Sequence, residues 1–93
     1  MEVVIVEFEN SASDTEGCVA ALNQLMTEVV SKQPAFISAR VHVEQSSGVV
    51  VNVMHWQRAA DFFAFRDANG DIIGPALGKY GPKGRAFNVA FEL

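Results

Sequence analysis

Hydrophobic residues recur with two different periods along the chain, and each change of period marks a change of element. Alternating or β-branched apolar runs predict four strands, at residues 2–8, 36–45, 49–55 and 85–93. Apolar residues at helical spacing predict two helices, at residues 14–32 and 58–67. The order β-α-β-β-α-β is typical of the ferredoxin-like plait, an α+β fold in which two helices cover one face of a four-stranded antiparallel sheet.

Capping and breaking residues set the expected limits of these elements. Ser13 and Glu16 have the spacing of a capping box at the start of the first helix, and Pro34 stops that helix. Residues 70–84 hold five of the seven glycines and two of the three prolines, a composition that favours a loop. We expect this segment to contain at most one short helical turn, near residues 72–77, and to act as a mobile lid over a binding pocket.

The two faces of the predicted sheet differ in polarity from strand to strand. The strand at 36–45 alternates apolar and polar residues, as an edge strand does, whereas the strands at 2–8 and 49–55 are apolar on both faces and are expected at the centre. Two helices can cover only one face, so the other face exposes a larger apolar patch than soluble monomers usually show. The same face of a second copy is the simplest cover, which predicts a homodimer packed as a dimeric α/β barrel.

Size and charge limit the partners of the chain. Its 93 residues have the size of one domain, spanning residues 1–93. A net charge of −4 argues against nucleic acid as a partner. No apolar run approaches the roughly 20 residues of a membrane span, which predicts no membrane association. The N-terminus lacks the basic start of a signal peptide, so a cytoplasmic location is expected.

Cysteine and histidine usage limits the chemistry. Cys18 is the only cysteine and falls on the apolar stripe of the first predicted helix, so we expect a buried core thiol rather than a disulfide or a nucleophile. His42 and His55 lie thirteen residues apart on strands without a cysteine pair, which predicts no metal site. His42 is a candidate proton acceptor if its strand face lines a cavity, and is otherwise a solvated surface residue.

The joint between the third strand and the second helix carries the most distinctive polar pattern. Asn52 and Trp56 lie four residues apart, so the two-residue period of a strand puts both side chains on one face, about 13 Å apart. We expect this amide and this indole to share a pocket wall, at the two ends of a two- or three-ring aromatic ligand. The alternatives are that Trp56 only seals the core and that Asn52 only bridges backbone groups.

Three segments of the chain carry a resemblance to a known family. They are Gln-Pro-Ala-Phe-Ile-Ser-Ala-Arg at 33–40, Val-Asn-Val-Met-His-Trp at 51–56 and Phe-Phe-Ala-Phe-Arg at 62–66. With the Asn-x-x-x-Trp spacing as its most diagnostic feature, the chain resembles the antibiotic biosynthesis monooxygenase family of dimeric α/β barrel proteins over nearly its whole length. That family includes anthrone and quinol oxygenases, haem-degrading enzymes and members with no assigned activity.

The resemblance implies a monooxygenase that needs no cofactor and acts with O₂ on a small anthrone- or quinol-like aromatic substrate. Asn52 and Trp56 match residues implicated in catalysis in the anthrone-oxidising members. Haem degradation is not expected, because that branch needs an axial histidine in the second helix and none lies between residues 58 and 84. A non-catalytic dimeric module that binds a small apolar ligand is the alternative function.

The resemblance also implies substrate-binding residues around this wall. Phenylalanines, among them Phe62 and Phe63, stand where the family has a pocket tyrosine, and Tyr80 in the glycine-rich segment is the expected substitute. Arg85 is the expected pocket cation, with the two lysines of the same segment as alternatives.

Overall fold

A four-stranded antiparallel sheet in the order β2-β3-β1-β4 forms the centre of the protein, in a computed structural model that describes residues 1–93. The strands are β1 Glu2–Phe8, β2 Phe36–Val43, β3 Val50–Trp56 and β4 Pro82–Phe87. Three α-helices pack on one face of the sheet: α1 Thr15–Glu28, α2 Ala59–Ala68 and α3 Gly70–Leu77. The α+β sheet predicted from the sequence, with β1 and β3 central and β2 at an edge, is confirmed. None of the helices combines the length and the hydrophobicity that crossing a bilayer requires.

Strand pairing decides which side chains face the helices. In β3 the even-numbered residues are buried and the odd-numbered ones are half-buried. β1 shows the same alternation from Val4 onward, and Val6 lies opposite Asn52 in the register. A slip of one residue would move Asn52 and Trp56 to the open face of the sheet, so burial of the even-numbered set fixes where both side chains lie.

Aromatic side chains dominate the core where β3 meets α2. The ring of Trp56 contacts the rings of Phe36, Phe62 and Phe65, with centroids 5.6, 5.6 and 6.2 Å away. Aromatic contacts of this kind contribute about 0.5–1.5 kcal/mol each beyond the burial of apolar area. They hold the first two turns of α2 against the sheet.

The first helix is capped by a different residue from the one predicted. Asp14 is the N-cap, and its carboxylate accepts a hydrogen bond from the backbone N–H of Gly17 at 3.1 Å. Ser13 instead donates its hydroxyl to the carbonyl of Asn10 at 3.2 Å, so the predicted capping box of Ser13 and Glu16 is wrong. A carboxylate at the N-cap also interacts favourably with the helix dipole, which a serine hydroxyl does not.

Two predicted elements end earlier than expected. α1 ends at Glu28 rather than at residue 32, because Val29 leaves helical geometry and a short 3-10 turn over Val30–Lys32 follows. β2 ends at Val43 rather than at residue 45, because the chain turns there into the hairpin that leads to β3.

The glycine-rich segment is largely helical, and the loop predicted at 70–84 is wrong. α3 occupies its first half, and a 3-10 turn over Gly78–Tyr80 follows. The helix forms because helically spaced side chains pack on the core: Ile73, Ala76 and Leu77. Pro75 removes one backbone hydrogen bond from the helix, a cost of about 3 kcal/mol in a helix interior. Burial of the apolar face, where Leu77 is only 3% exposed, offsets that cost.

The last strand begins and ends earlier than predicted. β4 pairs with β1 from Phe8 opposite Pro82 to Val3 opposite Phe87. Because β1 begins at Glu2, the residues after Phe87 have no strand of this chain beside them. The prediction of a strand over 85–93 is therefore wrong for its last six residues, 88–93, which lie outside the sheet.

The open face of the sheet has an apolar centre between two cationic edges. Four half-buried side chains outside the core cluster form this centre: Val3, Ile5, Val51 and Val53. The register places Arg40 of β2 on one side of it and Lys83 and Arg85 of β4 on the other. Glu7 of β1 is the acidic residue on this face.

Replacing Asp14 is expected to destabilise the protein more than replacing Ser13. Asp14→Ala removes the cap of α1 and also the acceptor of the Tyr80 hydroxyl, 3.1 Å away. We expect the free energy of unfolding to fall by about 1–3 kcal/mol. Ser13→Ala removes one exposed contact and is expected to cost about 0.5 kcal/mol or less. Urea unfolding measures both values, and equal losses would contradict the assignment of Asp14 as the cap.

Candidate active site

A cavity of about 120 Å³ lies between the sheet and the helices. Fifteen residues line it, of which eleven are hydrophobic, and they come from β1, β3, β4 and all three α-helices. For comparison, a cavity of about 150 Å³ lined by apolar side chains in a protein core holds a benzene molecule. The space therefore has the size of one aromatic ring.

Asn52 supplies the amide of this cavity. Its side chain is 2% exposed, and its Nδ2 donates to the sulfur of Met26 at 3.6 Å, a weak acceptor. Its carbonyl oxygen, Oδ1, has no hydrogen-bond partner. A buried polar atom without a partner costs about 1–3 kcal/mol. Since Nδ2 carries a second hydrogen, the amide can both accept and donate a hydrogen bond at the cavity.

Trp56 faces the helices on the same side of β3 but does not line the cavity. It is 1% exposed and lies behind Phe62 and Phe65, which do line the cavity. Its Nε1–H has no hydrogen-bond partner. The expected wall that spans Asn52 and Trp56 at the ends of a two- or three-ring ligand is therefore not formed, because two phenylalanine rings separate the indole from the open space.

The start of α2 is fixed by a residue far away in the sequence. The carboxylate of Glu2 accepts a hydrogen bond from the backbone N–H of Ala59 at 2.6 Å. Glu2 also lies opposite Trp56 in the pairing of β1 with β3. This cap satisfies one of the free N–H groups at the helix start. It also ties the first turn of α2 to β1, which helps to position Phe62 and Phe65 at the cavity.

Of the lining residues that the sequence did not indicate as part of a site, two bear directly on the chemistry of the cavity, Met26 and Arg66. Met26 comes from the apolar stripe of α1, where it lies four residues after Leu22. Arg66 lies four residues after Phe62 on α2, so both side chains project from one face of that helix. The four-residue spacing indicates that each of these side chains lies on the core-facing side of its helix. It does not show whether the core beside them is filled or contains a cavity.

Arg66 is held at the cavity by two contacts. Its Nη2 lies 3.0 Å from the carboxylate of Asp67. Its guanidinium carbon lies 4.8 Å from the centre of the Phe63 ring. The side chain is 46% exposed, so the cavity reaches solvent beside this cation.

The remaining predicted site residues divide between the cavity and other places. Phe62 lines the cavity, whereas Phe63 packs against the ring of Phe62 at 5.3 Å and against Arg66. Tyr80 is buried at the start of α1, where its hydroxyl donates to Asp14. Arg85 and His42 lie on the open face of the sheet, so neither reaches the cavity.

The single thiol is a buried core residue, and no cluster of metal-binding side chains accompanies it. Cys18 is completely buried, and burial together with the charge of Asp14 raises the pKa of its thiol. A thiol with a raised pKa stays protonated near neutral pH and is a poor nucleophile. No group of three or more histidine, cysteine, aspartate or glutamate side chains is close enough together to hold a metal ion.

Solved structures with the same architecture include proteins described as antibiotic biosynthesis monooxygenases. One crystal structure so described superposes with a TM-score of 0.75 at 13% identity and covers 97% of this chain and 99% of that chain. A candidate antibiotic biosynthesis monooxygenase from Nitrosomonas europaea gives a TM-score of 0.74 at 14% identity, with coverages of 98% and 100%. A monooxygenase from Streptomyces coelicolor, solved in complex with the ligand nanaomycin D, gives a TM-score of 0.68 at 21% identity, with coverages of 99% and 89%.

No protein-family model matches the sequence, and no curated protein matches it either. The structural likeness nevertheless extends over nearly the whole of each chain, at identities of 13–21%. The protein therefore has the fold of the antibiotic biosynthesis monooxygenases, as the three sequence segments led us to expect.

Proposed function

We propose that the protein is a cofactor-independent monooxygenase that oxidises a small phenol or quinol with O₂ and works as a homodimer. The observation that carries the proposal is the unpartnered carbonyl oxygen of Asn52, a residue that lines a largely apolar, ring-sized cavity. The fold shared with proteins described as monooxygenases supports the same reaction class.

A phenol in such a cavity can react with O₂ without a cofactor. Loss of the phenol proton gives a phenolate, which donates one electron to O₂. Recombination of the two radicals forms a C–O bond at a ring carbon that carries hydrogen, and loss of water from the resulting hydroperoxide leaves a quinone. One atom of O₂ ends in the quinone and the other in water, so the reaction balances.

The cavity residues contribute electrostatics and exclusion of water. The second Nδ2 hydrogen of Asn52 donates to the phenolate oxygen, an interaction that is worth most where water is excluded. Apolar walls hold the ring and shield the radical pair. No carboxylate or imidazole lines the cavity, so the phenol proton passes to solvent rather than to a protein base.

The homodimer is supported by the open face of the sheet. Its apolar centre of four aliphatic side chains lies outside the core of the single chain. Burial of a few hundred Å² of this surface contributes several kcal/mol at about 25 cal/mol per Å². A second copy presents the same surface, which makes a two-fold symmetric interface self-complementary.

A non-catalytic module that binds a small apolar ligand is the second candidate function. The position of Trp56 behind Phe62 and Phe65, together with the lack of a base at the cavity, favours this alternative. Oxygen uptake with a panel of quinols, catechols and anthrones separates the two functions, since only the enzyme consumes O₂.

Asn52 is expected to support function at the expense of stability. Asn52→Leu keeps the volume and removes the unpartnered oxygen, so the free energy of unfolding is expected to rise by about 1 kcal/mol. Oxygen uptake is expected to fall by about 100-fold or more, as for loss of one oxyanion donor. The control is Asn23→Leu, an amide on the exposed side of α1. Retained turnover in Asn52→Leu would leave the amide without a catalytic role.

The pH dependence of turnover is expected to follow the substrate. The phenolate is the form that reduces O₂, and no protein base lines the cavity. The rate should therefore rise with pH through the phenol pKa of each substrate. Measurement of kcat/KM against pH for two quinols of different acidity gives two midpoints, which should differ in the order of the quinol pKa values. One common midpoint for both substrates would indicate a protein base instead.

A charge on the open face is expected to disrupt the dimer and leave the fold intact. Val51 lies at the apolar centre of that face, so Val51→Glu should dissociate the dimer at micromolar concentration. The matched control is Val41→Glu, because Val41 is 38% exposed on the opposite face of the neighbouring strand. Sedimentation and circular dichroism report mass and fold. A wild-type monomer, or a Val51→Glu dimer, would contradict the proposed interface.

A further inference from the structure

We propose that the cavity binds a one-ring phenol that also carries an anionic substituent, with the hydroxyl at Asn52 and the anion at Arg66. This inference rests on the proposed function of the cavity and specifies its substrate class. Three features carry it: the volume of the space, the single free amide and the single cation among the lining residues.

The volume limits the ring count. At about 120 Å³ the cavity is somewhat smaller than the space of about 150 Å³ that holds benzene in a protein core. Its walls include buried side chains of the close-packed core, such as Phe8, Leu22 and Met54, which give way only at a cost. One ring fits this space, and additional fused rings would have to extend past Arg66 into solvent.

The amide requires a hydroxyl. Oδ1 of Asn52 can accept a hydrogen bond but has no partner within the protein. A ligand O–H satisfies it and removes the cost of leaving a buried acceptor unpaired. After the phenol ionises, the second hydrogen of Nδ2 donates to the same oxygen. A ring without a hydroxyl leaves this acceptor unpaired. The site therefore selects against aromatic hydrocarbons and against aromatic acids that lack a hydroxyl.

The cation requires an anion on the same ring. Arg66 is the only charged residue that lines the cavity. Its present partner, Asp67, is 70% exposed, and an exposed ion pair of this kind stabilises the protein little, because water screens it. A ligand carboxylate can therefore take the place of Asp67 at little cost. When no ligand is bound, the contact with the face of the Phe63 ring keeps the guanidinium of Arg66 close to the cavity.

The net charge of the chain does not oppose this selection. The chain carries −4, which disfavours anions at long range. Salt at physiological strength screens such interactions beyond about 8 Å. A carboxylate in direct contact with a guanidinium forms charge-assisted hydrogen bonds that are screened much less. The local cation therefore decides the preference.

Calorimetric titration without O₂ tests the ligand class. The ligands are meta- and para-hydroxybenzoate, with phenol, benzoate and a hydroxynaphthoate as comparisons that lack the anion, lack the hydroxyl or add a ring. We expect at least one hydroxybenzoate to bind at least tenfold more tightly than phenol, benzoate and hydroxynaphthoate. Equal affinity for phenol, or tighter binding of the hydroxynaphthoate, would overturn the inference.

Two arginine variants locate the anion. Arg66→Gln should remove the tenfold preference for hydroxybenzoate over phenol and leave the affinity for phenol unchanged within twofold. Arg58→Gln is the matched control, because Arg58 lies at the start of α2, pairs with Asp61 at 3.6 Å and does not line the cavity. A loss of preference of equal size in both variants would indicate a general charge effect and contradict a site at Arg66. Both positions are on the surface, and circular dichroism verifies that the variants fold.

Two results separate the ligand class from the oxygenase function. Tight hydroxybenzoate binding without oxygen uptake would contradict the oxygenase function and support the ligand class. Oxygen uptake with neutral polycyclic phenols, together with no binding of the one-ring acids, would remove the ligand class and keep the oxygenase.

Discussion

Burial of Trp56 at the joint of β3 and α2 is the interaction on which the site depends. The indole locks the end of a central strand to Phe62 and Phe65, which are also cavity walls. Because side chains alternate along β3 with a period of two residues, Asn52 lies on the same face as Trp56 and also faces the helices. The same packing thus creates an apolar space and forces an amide into it. The tryptophan acts as support for the site rather than as part of its surface.

The fold could be predicted because the dominant signals were periodic. Strands that are apolar on both faces are expected at the centre of a sheet, as β1 and β3 are. Only one pairing register buries the even-numbered side chains of both strands against the helices. The predictions failed where composition was allowed to outweigh periodicity. Glycines and Pro75 concealed α3, although its core-facing side chains repeat at helical spacing. The end of β4 was missed for another reason, since a strand extends only as far as its neighbour, and β1 stops at Glu2.

The site was only partly predictable, because a cavity is a property of packing between elements. Pattern alone placed Asn52 and Trp56 on one face of their strand, without showing that this face meets the helices, and Phe62 followed from resemblance. Tyr80 and Arg85 were assigned through a segment whose course depends on α3, and the structure places one beside α1 and the other on the open face. The four-residue spacing of Phe62 and Arg66 indicated that both side chains share one face of α2. That spacing does not give the distances between the packed helices and the sheet, so it could not show that a cavity lies beside them.

The pairing of β1 with strands that come much later in the chain has a consequence for folding kinetics. Val3 pairs with His55 on one side and with Phe87 on the other. During synthesis, the hairpin of β2 and β3 can form locally, but one edge of β1 remains unpaired until β4 has emerged. Such distant contacts carry the loop-closure entropy that slows folding of sheet proteins. Assembly of this sheet therefore has to wait for β4, and until then an unpaired edge of β1 is a site at which another chain could pair.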